Sequence, residues 1–181
     1  MKLRVKTSRI FFSILGFVLV ALTSARAQNF AIQTNGDLGE MITMNGVVDS
    51  GVQGRFDAVA KANPSVKTLW IQNCQGSNDD GVNIAFCRYL YDNCYSTYMG
   101  ATDQAHSGGV DVFMAGRERF ADPSAQLGVH TWAYGNGTLG RDLPMNHPDH
   151  DLFLDHYAAT WMTTQEASDF YFFTLSKGDA D

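Results

Sequence analysis

Strand-like and helix-like segments alternate between residues 40 and 132, and this alternation constrains the fold more than any other sequence feature. Residues 40–48 alternate apolar and polar side chains, while 66–72 are largely apolar, so both segments are predicted to be strands. Between them, Val52, Phe56 and Val59 recur at helical spacing before Pro64, which marks the end of a helix.

The alternation continues toward the C-terminus. Ser77, with Asp80 three residues later, predicts the start of a helix of about fourteen residues. A third strand over 94–101, a third helix over 108–116 and a fourth strand over 126–132 follow. Such an order implies crossover connections and a mainly parallel sheet covered on both faces, so we expect an α/β fold.

After Trp132 the sequence changes character. A loop rich in glycine and proline leads to a predicted helix that starts at Pro148. Thr163 and Glu166 form a capping box for a last helix, which ends at Gly178. No repeat or linker divides the chain, so residues 28–181 are predicted to form one domain.

The first 27 residues have the pattern of a cleaved secretory signal. Basic residues precede an apolar run over 10–22, and Ala25-Arg26-Ala27 supplies small residues at a cleavage point before Gln28. The run is short for a membrane span, so no membrane association is expected after cleavage. The mature chain is therefore predicted to be periplasmic or secreted.

Charge and cysteine content narrow the choice of partners. The chain has a formal net charge of −6, and the first 27 residues hold five basic and no acidic residues, so the remainder carries −11. This charge argues against nucleic acid as a partner. Three cysteines in an oxidising compartment leave at least one thiol free or paired between chains. Cys87 and Cys94 are separated by roughly 10 Å along an unbroken helix, too far for a disulfide, so they can pair only if the helix ends before Cys94.

Ser107 is the main candidate for chemistry. It lies where a strand is predicted to turn into a helix, so the first backbone N–H groups after it have no helical partners. The Gly108 N–H could hold an oxyanion, and Gly76 could let a second backbone donor approach. The alternative interpretation is structural, because serine is also a favoured helix N-cap residue.

Three segments follow one another along the chain: the strand and turn ending in Cys74-Gln75-Gly76-Ser77, the Ser107 helix ending in Ala115-Gly116, and Leu127-Gly128-Val129-His130. In this order they resemble the Clp-protease and crotonase superfamily, most closely the exported Clp-protease-like proteins of bacteria. The resemblance implies a layered ββα spiral core with C-terminal helices that mediate homo-oligomerisation. It also implies that Ser107 is the nucleophile, that His130 is the base, and that Gln75 and Gly76 belong to the oxyanion and substrate-binding turn. We expect His106 to line the same pocket.

The sequence departs from the family pattern in ways that leave two functions open. Asp111 lies where relatives carry apolar residues, and a buried carboxylate there needs a partner. The triad acid of the family would fall near the chain end, where Asp179 and Asp181 are candidates and the last family segment looks cut off or absent. The chain is therefore predicted to be a cofactor-independent serine hydrolase acting on peptides or proteins, or an inactive relative that binds them.

A second polar cluster, over residues 147–156, suggests a different chemistry. His147, Asp151 and Asp155 have spacing that can bind zinc on a helix. Acidic side chains at a solvated helix start explain the pattern better, because no HExxH-type order is present. We therefore predict no metal site.

Overall fold

The computed structural model describes residues 29–178, so the signal peptide prediction and both Asp179 and Asp181 lie outside the described residues. The strands are β1 Asn29–Thr34, β2 Glu40–Val48, β3 Thr68–Ser77, β4 Ser96–Met99, β5 Gln104–His106, β6 Arg119–Ala121 and β7 Gln126–Gly128. The helices are α1 Val52–Ala62, α2 Asp80–Asp92, α3 Gly108–Met114, α4 Asp151–Thr160 and α5 Thr164–Leu175. Short 3-10 turns occupy Gly36–Leu38, Gly140–Asp142 and Pro148–His150.

The predicted α/β class and mainly parallel sheet are confirmed. Every strand pair in the sheet is parallel except β1 with β2. The long strand β3 pairs with β4 through its first half and with β5 through its second half. Strands β6 and β7 then extend these two rows, since β6 pairs with β4 and β7 pairs with β5. The sheet therefore has three successive layers: β3, then β4 and β5 beside its two halves, then β6 and β7 beside those.

The expectation that helices cover both faces of the sheet is wrong. Helices α1, α2 and α3 share one core with Leu69 and Ile71 of β3. The alternate residues Trp70 and Gln72, on the opposite face of the same strand, are only half-buried. The helical side of the sheet thus supplies the main hydrophobic core, and the other face is partly open in this chain.

The C-terminal helices α4 and α5 form a second apolar cluster beside the first. Phe153, Tyr157 and Tyr171 are buried there, together with Ile84 from α2. The capping box predicted at Thr163 is present, because its hydroxyl accepts from the Glu166 N–H and the Glu166 carboxylate accepts from the Thr163 N–H. None of the helices formed by residues 29–178 has the length and apolar character that a bilayer-spanning segment needs.

Two local predictions need correction. Ser77 ends β3 and does not cap α2; the cap is Asp79, whose carboxylate accepts from the Val82 N–H at 3.0 Å. The strand predicted over 126–132 ends at Gly128, because pairing with the three-residue strand β5 stops there. His130 consequently lies in an irregular segment just beyond the sheet.

Candidate functional site

Ser107 occupies a sharp turn between β5 and α3. Its backbone φ of 50° and ψ of −126° place it in a conformation that non-glycine residues rarely adopt. Although it stands at the N-cap position of α3, its hydroxyl makes no capping hydrogen bond. The structure therefore does not support the capping interpretation, and the strained turn leaves the hydroxyl available for another role.

Three glycines make this turn sterically feasible. A Cβ on Gly76, whose φ is 117°, would lie 3.0 Å from Ser107 Cβ and 3.5 Å from its Oγ. A Cβ on Gly108 would come within 2.8 Å of Asn83 Nδ2, and one on Gly109 within 2.8 Å of Cys74 Sγ. The ends of β3 and β5 can therefore meet only because these positions lack side chains.

Backbone hydrogen bonds around Ser107 fix the turn and leave the Gly108 N–H unused. The Ser107 N–H donates to the Gly128 carbonyl at 2.8 Å, which ties the turn to the end of β7. The Val110 N–H donates to the Ser107 carbonyl at 2.8 Å. Within residues 29–178, the Gly108 N–H has no hydrogen-bond acceptor. It is thus a free donor next to the serine.

The serine opens into a pocket beside the second apolar cluster, which supplies Phe153, Tyr157 and Tyr171 to its wall. The pocket is a cavity of about 40 Å³, and its open mouth and the gaps around it bring the empty space to about 430 Å³. Its lining combines the N-terminal part of α3, the segment after β7, and side chains of α2, α4 and α5: Asp80, Ser107, Gly108, Val110, Asp111, Val129, His130, Trp132, Phe153, Tyr157, Tyr171 and Thr174. The pocket thus brings together Ser107, His130 and Gly108.

His130 is held by its own segment. Its Nδ1 lies 2.7 Å from the Thr131 carbonyl oxygen. A carbonyl can only accept, so this bond places the proton on Nδ1 and leaves Nε2 as the acceptor. No hydrogen bond joins Ser107 to His130 within the part of the chain that the structure describes.

Two acidic residues, Asp80 and Asp111, line the pocket, and the sequence alone predicts a role there for neither of them. Asp80 accepts from the Ser77 hydroxyl at 3.1 Å. Burial raises its pKa above the ordinary value; the Ser77 hydrogen bond opposes this effect, the neighbouring Asp79 carboxylate adds to it, and the electrostatic interaction with His130 makes a smaller opposing contribution. The sequence pattern, with Ser77 three residues before it, predicts Asp80 only as part of a helix start.

The buried Asp111 carboxylate has two hydrogen-bond donors. Its carboxylate accepts hydrogen bonds from the Tyr157 hydroxyl and, at 3.0 Å, from Asn83 Nδ2. Asn83 Nδ2 also donates to the Gly108 carbonyl at 3.1 Å, so the carboxylate connects to the turn after Ser107. Burial raises the pKa of Asp111 to about 7, although both hydrogen bonds act to lower it.

The remaining predicted site residues lie further from the pocket. Gln75 is exposed on β3, and His106 packs against Gly128; neither lines the pocket. Cys74 is buried beneath Gly109, so its thiol faces the interior of the fold.

The second polar cluster is divided between surface and interior: Asp151 and Asp155 are exposed and His147 is half-buried, whereas His150 and His156 are buried. His150 bonds to the Tyr171 hydroxyl at 2.8 Å and to the Pro144 carbonyl at 3.1 Å. His156 is buried, and neither of its ring nitrogens has a partner in the described residues. Among residues 29–178 no group of three histidine, cysteine or acidic side chains could hold a metal ion.

No protein-family model and no curated protein matches the chain. The functional argument therefore depends on the geometry of the Ser107 pocket.

Proposed function

We propose that the protein is a serine hydrolase that cleaves peptides or loose protein segments, with Ser107 as nucleophile and His130 as base. The observation that carries the proposal is the strained Ser107 backbone at a strand-to-helix turn. Holding a non-glycine residue in such a conformation costs on the order of 1–3 kcal/mol, and such strain clusters at active sites. A turn of this kind presents a serine hydroxyl at the end of a sheet, where serine hydrolases use it.

In the proposed reaction, the Ser107 hydroxyl attacks the substrate carbonyl and gives its proton to His130 Nε2. The scissile bond then breaks, and the leaving amine or alcohol takes that proton from His130. Water hydrolyses the resulting acyl-serine, passes a proton through His130 and regenerates the Ser107 hydroxyl. The Thr131 carbonyl supports this sequence because it holds the His130 tautomer that accepts at Nε2.

The Gly108 N–H is the proposed oxyanion donor. It lies next to Ser107 at the start of α3 and has no acceptor in the described part of the chain. Removal of one such donor costs 10²- to 10³-fold in rate in serine proteases. Gly76 remains a candidate for a second donor, because its backbone approaches the serine closely.

Asp80 is a candidate for the supporting acid in place of Asp181. It shares the pocket with His130, and the two groups interact electrostatically. A negative charge there would stabilise the imidazolium that forms when His130 takes the proton. Asp80 makes no hydrogen bond to His130 within residues 29–178, so its proposed role is electrostatic.

The finer fold assignment belongs to the same proposal. A layered ββα spiral related to the Clp and crotonase proteins is supported by three repeated passes: β3, then β4 with β5, then β6 with β7. Export to the periplasm and self-association through the C-terminal helices are further proposals that follow from the leader pattern and the resemblance. Sedimentation velocity of the purified protein would measure the oligomeric state.

The test is covalent labelling with a fluorophosphonate, read by intact and peptide mass spectrometry. We expect one adduct on Ser107, which Ser107→Ala abolishes. Ser124→Ala, which removes a hydroxyl from an exposed turn, should leave labelling unchanged. A folded protein that forms no adduct would overturn the hydrolase proposal.

The alternative is an inactive relative that binds peptides in the same pocket. The absence of a hydrogen bond between Ser107 and His130 in the described residues favours it, although such bonds often tighten only when substrate is present. Binding of a peptide without an adduct on Ser107 would support this alternative.

A further inference from the structure

The charges that line the Ser107 pocket are all of one sign, apart from His130. The carboxylates of Asp80 and Asp111 both lie in its wall, and none of the described residues lining it is lysine or arginine. Within residues 29–178, neither carboxylate takes part in a salt bridge. A charge that is taken out of water without a counter-ion is costly, so these carboxylates favour any cation that enters the pocket.

Asp111 contributes most to this argument. It is 7 % exposed, and its two partners, Tyr157 and Asn83, are neutral donors. These hydrogen bonds satisfy its oxygens but leave its charge uncompensated. Beside it, Asn83 Oδ1 is buried and has no hydrogen-bond partner in the described residues. This corner of the structure therefore has more acceptors than donors.

The rest of the wall suits an organic cation better than a metal ion. Trp132, Phe153, Tyr157 and Tyr171 provide four aromatic rings beside the carboxylates. Aromatic rings attract alkylammonium and guanidinium groups, whereas metal ions need several convergent oxygen, nitrogen or sulfur ligands. No group of three such side chains is present in the described residues.

We propose that this pocket selects substrates with a small cationic or neutral group beside the scissile carbonyl and rejects those with a carboxylate there. The inference rests on the proposed hydrolase function, because the selected ligand is a substrate only if Ser107 is a nucleophile. The preference follows from the charges of Asp80 and Asp111 in a partly buried site. These carboxylates would repel an anionic group and attract a cationic one. The free space limits the group to a few heavy atoms.

Three ligands of nearly equal size test the charge preference: n-butylammonium, 1-butanol and butyrate. Each competes with a neutral fluorophosphonate for Ser107 at pH 8, where Asp111, with a pKa of about 7, is mostly ionised. We expect the protection constant of butylammonium to be at least tenfold lower than that of butyrate, with 1-butanol between them. Equal protection by butylammonium and butyrate, or protection by neither, would overturn the proposal.

Variants connect the preference to the two carboxylates. Asp111→Asn and Asp80→Asn should each shrink the ratio of the butylammonium and butyrate constants severalfold. Asp92→Asn, which removes one exposed negative charge at the end of α2, should leave the ratio unchanged. Because a ratio is compared, a general change in Ser107 reactivity does not affect the outcome, and Asp80→Asn serves if Asp111→Asn does not fold.

Calorimetric titration of Ser107→Ala with the same ligands separates this proposal from the hydrolase proposal. If wild-type Ser107 forms no adduct but the variant still prefers butylammonium, the hydrolase proposal fails and the charge preference stands as a binding property. If Ser107 is labelled and no preference appears, the charge proposal fails alone.

Discussion

Gly76 and Ser107 are in such close contact that the glycine has no room for a side chain. A Cβ at Gly76 would lie 3.0 Å from Ser107 Cβ and 3.5 Å from Oγ. The contact joins the end of β3 to the turn between β5 and α3. The position of the proposed nucleophile therefore depends on a residue about thirty positions earlier in the chain.

Gly76→Ala should slow fluorophosphonate labelling of Ser107 by about tenfold or more. The new methyl group would push the serine out of place, and small displacements at a reacting centre are costly. The variant would also be strained, because the φ of Gly76 is 117°. The labelling rate constant of the folded variant measures the effect.

Gly39→Ala is the matched control for backbone strain. Gly39 has a φ of 80° but nothing within 4 Å of a built Cβ. The Gly39→Ala variant should lower the free energy of unfolding by about 1 kcal/mol and leave the rate of Ser107 labelling unchanged. Equal labelling rate constants for Gly76→Ala and Gly39→Ala would show that the contact with Gly76 does not position Ser107.

Asp111 should make the protein less stable as the pH rises. Burial raises its folded pKa from 3.8 to about 7, so between these values the folded state binds more protons than the unfolded state. The free energy of unfolding then falls with rising pH across this window. Relative to Asp111→Asn, the wild type should lose about 3 kcal/mol between pH 5 and pH 8, measured by urea unfolding. A difference that does not depend on pH would contradict the burial argument; Asp92→Asn, at an exposed site, controls for net charge.

His156 should have the opposite effect at lower pH. Burial lowers its pKa from 6.5 to about 4, and neither ring nitrogen has a partner in the described residues. Between these values the folded state binds fewer protons, so stability is present above pH 6.5 and is lost as the pH falls toward 4. Between pH 7 and pH 5 the wild type should lose about 2 kcal/mol relative to His156→Leu in urea unfolding.

His147→Gln provides the control for this histidine. His147 lies in the loop before α4, only half-buried and 3.7 Å from Asp149. Its replacement should leave the acid sensitivity in place. If both histidine variants change the pH dependence equally, the loss of stability does not come from the buried ring.

The parts of the fold that the sequence predicts well are those with local causes. Helix α1 follows from the spacing of its apolar residues, and α5 follows from its capping box at Thr163. The serine turn also follows locally, because glycines come directly after Ser107. Strands β5 and β6 have three residues each, too few to show a periodicity.

The pocket itself depends on long-range contacts that no local pattern contains. Trp132, Tyr157 and Tyr171 reach the serine only because α4 and α5 pack beside α2 and α3. The sequence shows that Asp111 needs a partner, but only the fold identifies Tyr157, 46 residues away, as that partner. The sequence pattern likewise does not distinguish Asp80 as a pocket residue from a common helix-start residue.

Cys94 should be the one fast-reacting thiol among the three cysteines of the native protein. Cys74 and Cys87 are buried, whereas Cys94 is exposed. Burial also raises the pKa of Cys87 well above its ordinary value, which disfavours its reactive thiolate. Titration with a chromogenic disulfide reagent should therefore show one rapid equivalent under native conditions and three in denaturant. Cys94→Ser should remove the rapid phase and, under oxidising conditions, any disulfide-linked dimer, whereas Cys87→Ser should leave both; a rapid phase that persists in Cys94→Ser would contradict this arrangement.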